Sequence, residues 1–249
     1  MKEESPQSNE QTTSLNKFIS DTGRCSRREA DKMIEDGRVL LNGVVAKKGN
    51  RAGAEDIVLI DGLPLTAQDK APAKYIAFNK PIGITCTTDQ SISGNIIDYI
   101  QFPDRIFPIG RLDKPSEGLI FLTNDGDIVN KILRAGNNHE KEYLVRVHKP
   151  ISEEFIRKMS SGIPILGTYT KKCKVEKIDN HSFKIVLTQG LNRQIRRMCD
   201  YLGYEVTSLT RIRIMNIQLD PLEPGQWRLL TNEEVDGLQF LVKDSRKTV

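Results

Sequence analysis

The chain is poor in the residues that build metal centres and disulfide frameworks, with four cysteines and three histidines in 249 residues. Cys25, Cys86, Cys173 and Cys199 stand far apart and form no CxxC pair. No structural zinc site is therefore expected, and the thiols read as those of a reduced, cytoplasmic protein. Long apolar runs are also missing. A run such as 119–122 is far shorter than the roughly 20 residues that span a bilayer. The polar, acidic stretch 1–13 lacks the apolar centre of a signal peptide, so neither export nor membrane insertion is expected. No GxGxxG and no P-loop is present, which removes the commonest sequence signs of a nucleotide cofactor.

The remainder is ordinary for a soluble globular protein: 38% apolar, 28% charged, and 37 basic against 33 acidic residues for a net +4. That balance permits an anionic partner without requiring one, so the distribution of charge has to decide. The length suits one large domain and one small one.

Residues 1–13 read as a disordered tail, too polar to bury a core. From there to residue 62 the pattern is helix, helix, hairpin. Leu15, Phe18 and Ile19 recur at helical spacing behind Ser14, which can cap the helix, and Gly23 can end it. Ser26-Arg27-Arg28-Glu29 is a capping box that opens a second helix with Ala30, Met33 and Ile34 as its apolar stripe. Gly37 closes that helix, and Asn42-Gly43 between Val39-Leu40-Leu41 and Val44-Val45 is a strong hairpin signal. Asp56 to Ile60 adds a strand and Asp61-Gly62 a turn. The Pro- and Gln-containing stretch 63–74 reads as a linker. A larger domain is expected over 75–242, with strands near 75–78, 119–123, 143–147, 173–178, 183–187 and 206–214, helices near 127–134, 152–161 and 193–202, and a frayed end from 243 to 249. Strands mixed with helices, without a βαβ beat, predict an α+β fold with a mainly antiparallel mixed sheet flanked by helices and loops.

Two constellations carry chemistry. In the small unit, Arg24, Arg27, Arg28, Lys32 and Arg38 gather at the ends of the second helix; Arg28 and Lys32 share a face, and the helix start already favours anions. The same residues also fit a solvated face balanced by Glu29, Asp31 and Glu35. In the large unit, Gly110-Arg111-Leu112-Asp113-Lys114-Pro115-Ser116-Glu117-Gly118 is a loop ahead of an apolar strand. Arg111 and Lys114 favour an ionised Asp113 that could serve as nucleophile or base. An aspartate bonding its own turn before a proline fits the spacing equally. Taken singly, Tyr143 reads as a strand aromatic and Arg196 as a solvated helix residue.

The motifs together resolve these alternatives by resemblance. Leu15-x-x-Phe18-Ile19, Cys25-Ser26-Arg27-Arg28-Glu29-Ala30, Gly37-Arg38-Val39 and Leu41-Asn42-Gly43 resemble the S4 RNA-binding domain. That resemblance implies RNA contacts at Arg24, Arg27, Arg28, Lys32 and Arg38. Gly110-Arg111-Leu112-Asp113 resembles the catalytic motif of the pseudouridine synthases, and two further family segments follow in order: Lys141-Glu142-Tyr143-Leu144-Val145 and Asn192-Arg193-Gln194-Ile195-Arg196-Arg197-Met198. The resemblance implies that Asp113 is the indispensable catalytic residue, that Tyr143 stacks on the target uracil, and that Arg196 pairs with Asp113. Arg111, Arg193 and Arg197 become expected RNA contacts.

An S4-like unit ahead of such a domain resembles the RsuA branch with its large-subunit relatives of B, E and F type, most of all the F type. The expected activity is isomerisation of one uridine to pseudouridine in 23S ribosomal RNA by a monomer, without cofactor or metal. A transfer-RNA loop as substrate, and a non-catalytic RNA-binding or ribosome-assembly factor, are the alternatives. Pro115 departs from the family, which often has an acid there.

Overall fold

A computed structural model of the chain describes residues 12–65 and 72–245. The expected tail through residue 11, linker residues 66–71 and the last four residues lie outside the described residues. The chain divides into two compact units, Met1–Ala73 and Lys74–Val249.

The first unit runs β1 (Thr13–Ser14), α1 (Leu15–Asp21), α2 (Arg27–Glu35), β2 (Val39–Leu41), β3 (Val44–Val45), β4 (Arg51–Ala52), β5 (Val58–Ile60) and β6 (Leu63–Leu65). The capping box forms as the sequence dictates: the Ser26 hydroxyl accepts from the Glu29 amide at 3.1 Å, and the Ser26 amide donates to the Glu29 carboxylate at 2.6 Å. Asn42 and Gly43 both take positive φ, 51° and 81°, which turns the β2–β3 hairpin. Ser14 precedes α1 without a side-chain cap; the Leu15 amide donates instead to the Asn50 carbonyl at 2.9 Å. Leu15, Ile19, Ala30, Ile34, Val39 and Ile60 close the core of this unit.

Two expected boundaries move. Thr13 is not tail but pairs with Ala52, and 63–65 is not linker but the outer strand of the order β3-β2-β5-β6. Pro64 is tolerated there because an edge strand has donors to spare.

The second unit contains β7 (Tyr75–Lys80), α3 (Ile96–Ile100), β8 (Phe107–Ile109), β9 (Glu117–Thr123), α4 (Gly126–Leu133), β10 (Lys141–Val147) and α5 (Glu153–Ser161). It continues with β11 (Pro164–Ile165), β12 (Thr168–Tyr169), β13 (Lys174–Lys177), β14 (Ser182–Leu187), α6 (Gln194–Tyr201), β15 (Val206–Ile214), β16 (Ile217–Gln218), β17 (Trp227–Leu229) and α7 (Asn232–Leu241). Its sheet follows the order β13-β14-β10-β15-β9-β7-β17, with β8 on β9 and β16 on β15; only the β15–β9 pairing is parallel. The α+β fold with a mainly antiparallel mixed sheet is thus observed.

Alternate residues of β7 and β9 enter different cores, Ile76, Phe78, Ile120 and Leu122 on one face and Tyr75, Ala77, Leu119 and Phe121 on the other. Helices α3, α5 and α6 cover the first face through Ile96, Phe155 and Met198, and α4 and α7 cover the second through Ile128, Ile132 and Leu238. Burial on both faces explains why these strands read as continuous apolar runs. Residues 243–245, expected to fray, are held: the Ser245 amide donates to the Val242 carbonyl at 3.0 Å, and the Ser245 hydroxyl lies 2.8 Å from His139 Nε2.

Candidate active site

The loop between β8 and β9 is fixed from three directions before its aspartate does anything. Leu112 buries its side chain, and its amide donates to Cys86 Sγ at 3.4 Å. The Ser116 amide donates to the Asp113 backbone carbonyl at 3.0 Å, closing the turn through the main chain. The half-buried Asp113 carboxylate is consequently not the group that closes the turn, and it has no hydrogen-bond partner among the described residues. Arg196, on α6, supplies the third hold: its Nη2 donates to the Pro115 carbonyl and the Ser116 hydroxyl, each at 3.1 Å, and its Nη1 donates to the Val206 carbonyl at 3.2 Å.

The pairing expected between Arg196 and Asp113 is therefore altered. Among the described residues no ion pair joins them; the guanidinium grips the two residues after Lys114 instead, through Nη2. The charges still sense each other. Burial, then Arg193, pushes the Arg196 pKa below its ordinary value, while Asp113 works in the opposite direction. The buried Nε of Arg196 has no partner among the described residues.

Tyr143 sits in β10, paired with Arg211 of β15 on one side and Ile185 of β14 on the other. Asp113, Tyr143 and Arg196 all line one cleft of about 970 Å³, together with Arg111 and Arg193. The volume suits a nucleotide-sized group. Arg197 is not among its walls: its Nε donates to the Asn192 carbonyl at 3.0 Å and its Nη2 to the Asn192 side chain at 3.2 Å. Arg193, expected to open α6, stands before it in the left-handed conformation at φ 49°. The 189–193 loop is braced by buried Gln194, whose Oε1 accepts from the Leu191 amide at 3.1 Å.

Three cations were not anticipated. Lys80 is fully buried, its ammonium donating to the Pro81 and Ile84 carbonyls at 2.8 and 3.0 Å, and burial lowers its pKa. Lys141 lines the cleft two residues before Tyr143; burial, reinforced by Arg211, brings it down to about 8. Arg211 also lines the cleft, with its guanidinium 6.0 Å from the centre of the Tyr143 ring. Lys141 was legible in principle, since the two-residue period of a strand puts it beside Tyr143. A buried arginine in a strand of mixed polarity leaves no such mark. Among the described residues no group of three His, Cys, Asp or Glu side chains could hold a metal, and no helix is long and apolar enough to cross a membrane.

In the first unit Arg24, Arg27, Arg28, Lys32 and Arg38 are all exposed. The acids that could balance them are engaged elsewhere: Glu29 in the capping box, Asp31 with Asn16, Glu35 with Lys48 at 3.0 Å. Arg38 differs, being held by Asp61 through two bonds at 2.8 and 2.5 Å. The other four form no ion pair among the described residues.

Comparison with known proteins accords with this anatomy. Residues 74–201 match the RNA pseudouridylate synthase family and residues 13–58 the S4 domain family. The chain is 56% identical to the dual-specificity RNA pseudouridine synthase RluF of Salmonella typhi, over 94% of this chain and 81% of that protein. It is 33% identical to the ribosomal large subunit pseudouridine synthase B of Vibrio vulnificus, over 92% and 75% respectively. A solved pseudouridylate synthase superposes with a TM-score of 0.67 at 30% identity, covering 90% of this chain and 99% of that one. A cleft holding an unencumbered aspartate, a tyrosine and an arginine, in a chain related over nearly its whole length to such enzymes, places this protein in the RsuA/RluF-type family of RNA pseudouridine synthases, enzymes that isomerise uridine in RNA.

Proposed function

We propose that the enzyme converts a specific uridine of 23S ribosomal RNA to pseudouridine, acting as a cytoplasmic monomer, with Asp113 initiating the reaction. The observation that carries this reading is the Asp113 carboxylate, half-buried at the cleft and without a hydrogen-bond partner among the described residues, on a loop that Leu112, Ser116 and Arg196 hold in place. The large-subunit name of the Vibrio relative favours the ribosomal substrate.

The isomerisation breaks N1–C1′, turns the uracil and rejoins it through C5, with no net redox change and no energy input, so it needs no cofactor. A base stacked in a helix is unreachable, so the target is extruded into the cleft at a cost of a few kcal/mol, which stacking on Tyr143 offsets. Ionised Asp113 then attacks C1′ or removes a ribose proton. Arg196 is a positioning residue in this account, acting through the loop rather than through a bond to the carboxylate. Arg111 and Arg193, at the cleft, and the unpaired Arg24, Arg27, Arg28 and Lys32 hold phosphates, which positions the RNA without reading its sequence. Arg38 and Arg197, tied to Asp61 and Asn192, contribute less.

The dual-specificity name of the 56%-identical relative favours a second reading for the substrate, a folded transfer-RNA loop shaped like the ribosomal one. The test is single-turnover conversion of 23S and transfer-RNA transcripts by purified wild type and Asp113→Asn. Pseudouridine at one site with wild type and none with the variant is expected. An active Asp113→Asn would overturn the site, and conversion of transfer RNA alone would overturn the ribosomal target.

A further inference from the structure

The chemistry needs a place for negative charge that Asp113, Tyr143 and Arg196 do not provide. Whether Asp113 attacks C1′ or takes a ribose proton, the electron pair of the N1–C1′ bond departs with the base. The uracil between its two bonds is therefore an anion whose charge spreads from N1 onto its carbonyl oxygens.

Arg211 lies where such an anion would be. It lines the cleft against the Tyr143 ring and is 4% exposed. Its Nε donates to the Leu119 carbonyl at 2.6 Å, whereas its Nη2 is buried with no hydrogen-bond partner among the described residues. A buried guanidinium donor left unsatisfied is rare and costly, and its persistence calls for a group that completes it. The backbone of Arg211 is locked in place: Gly118, its partner across the parallel pairing, approaches so closely that a Cβ there would stand 2.3 Å from the Arg211 carbonyl oxygen. Lys141 adds a second buried cation at the cleft, its nearest acceptor the His139 carbonyl at 3.5 Å. No acid among the described residues lies within ion-pair distance of either. Two like charges desolvated together are unfavourable unless an anion joins them.

We propose that Arg211, assisted by Lys141, is a catalytic residue that carries the charge of the detached uracil, its guanidinium donating to a carbonyl oxygen of the base held against Tyr143. In the nucleophilic route an Asp113–C1′ ester forms as N1 leaves with the electron pair. C5 then attacks C1′, the ester oxygen departs to restore the carboxylate, C5 loses its proton and N1 gains one. In the elimination route the carboxylate takes the C2′ proton as N1 leaves with the electron pair, giving a C1′=C2′ double bond and the same uracil anion; C5 then adds to C1′ as the proton returns to C2′, C5 loses its proton and N1 gains one. The arginine serves both.

The inference rests on the cleft being the uridine site, and the experiment separates the two. Wild type, Arg211→Gln, Lys141→Met and Asp113→Asn are compared in single-turnover reactions at saturating RNA. One RNA carries the target uridine and another carries 5-fluorouridine there, whose fluorine stabilises the departing anion by itself. Arg211→Gln is expected to slow consumption of uridine by about 100-fold, as loss of one oxyanion donor does, but that of 5-fluorouridine by less than about 10-fold. RNA affinity is unchanged. Lys141→Met shows the same pattern at about one-tenth the size, and decides the matter should Arg211→Gln fail to fold. Equal slowing on both substrates, no slowing, or a loss confined to affinity, as a phosphate contact would give, overturns the role of Arg211. An active Asp113→Asn overturns the site itself.

Discussion

Lys141 shows the cost of building such a site one side chain at a time. Burial and the neighbouring Arg211 lower its folded pKa to about 8, below the ordinary lysine value. Between about pH 8 and the ordinary value the unfolded chain binds the extra proton, so stability rises with pH across that window; below it the buried cation is a constant burden. Lys141→Met is therefore expected to stabilise the protein at pH 7, by on the order of 1–3 kcal/mol, with the gain shrinking as pH rises toward 10. Urea unfolding of both proteins at pH 7 and pH 9.5 checks this. A variant less stable than wild type at pH 7 would show that the ammonium is a net structural asset.

Legibility at this scale was uneven for physical reasons. Asp113, Tyr143 and Arg196 were singled out by resemblance to family motifs, since spacing alone left each open, and the structure brings all three to one cleft. That Arg196 would grip Pro115 and Ser116 rather than Asp113 was not legible, since it depends on where α6 meets the β8–β9 loop, a tertiary fact. Arg211 was overlooked because a charge at one strand position says nothing about which neighbours bury it.

Among the elements, the parallel contact between β9 and β15 joins the Asp113 loop to the strand that presents Arg211. It depends on Gly118, which has φ 108° and room for no Cβ against the Arg211 backbone. Gly118→Ala is expected to destabilise the protein by about 3 kcal/mol or more, combining backbone strain with a clash against main chain that cannot rotate away. It should also depress turnover beyond what stability explains. Thermal unfolding with single-turnover assays below the transition tests both; a variant within about 0.5 kcal/mol of wild type would contradict the close approach.

The local signals that succeeded at this scale were those carried by few residues: the Ser26–Glu29 box and Asn42-Gly43. The elements missed include α3, β8 and β17. The first is five residues long, and the strands are three residues each, one holding Pro108. Such pieces are held by their sheet neighbours rather than by their own pattern. Likewise 63–65 looked like linker because proline weighs against a strand unless it is known to lie at an edge.

For the molecule as a whole, the account divides labour between two units of one chain, one holding RNA and the other performing chemistry. Arg27→Ala with Arg28→Ala is expected to weaken RNA binding about equally across sequences and to reduce the slope of log affinity against log salt by about 2. The single-turnover rate at saturating RNA should not move. A slower chemical step in that variant would place the first unit in the reaction itself.

The central claim is that Asp113 initiates uridine isomerisation in 23S RNA, and pseudouridine mapping tests it most directly. Total RNA from cells lacking the gene, and from the same cells given wild-type or Asp113→Asn protein, is labelled with carbodiimide and read by reverse-transcription stops. The account predicts one stop in large-subunit RNA that vanishes with the gene and returns with wild type alone. A stop restored by Asp113→Asn, or no change in any RNA, would contradict it.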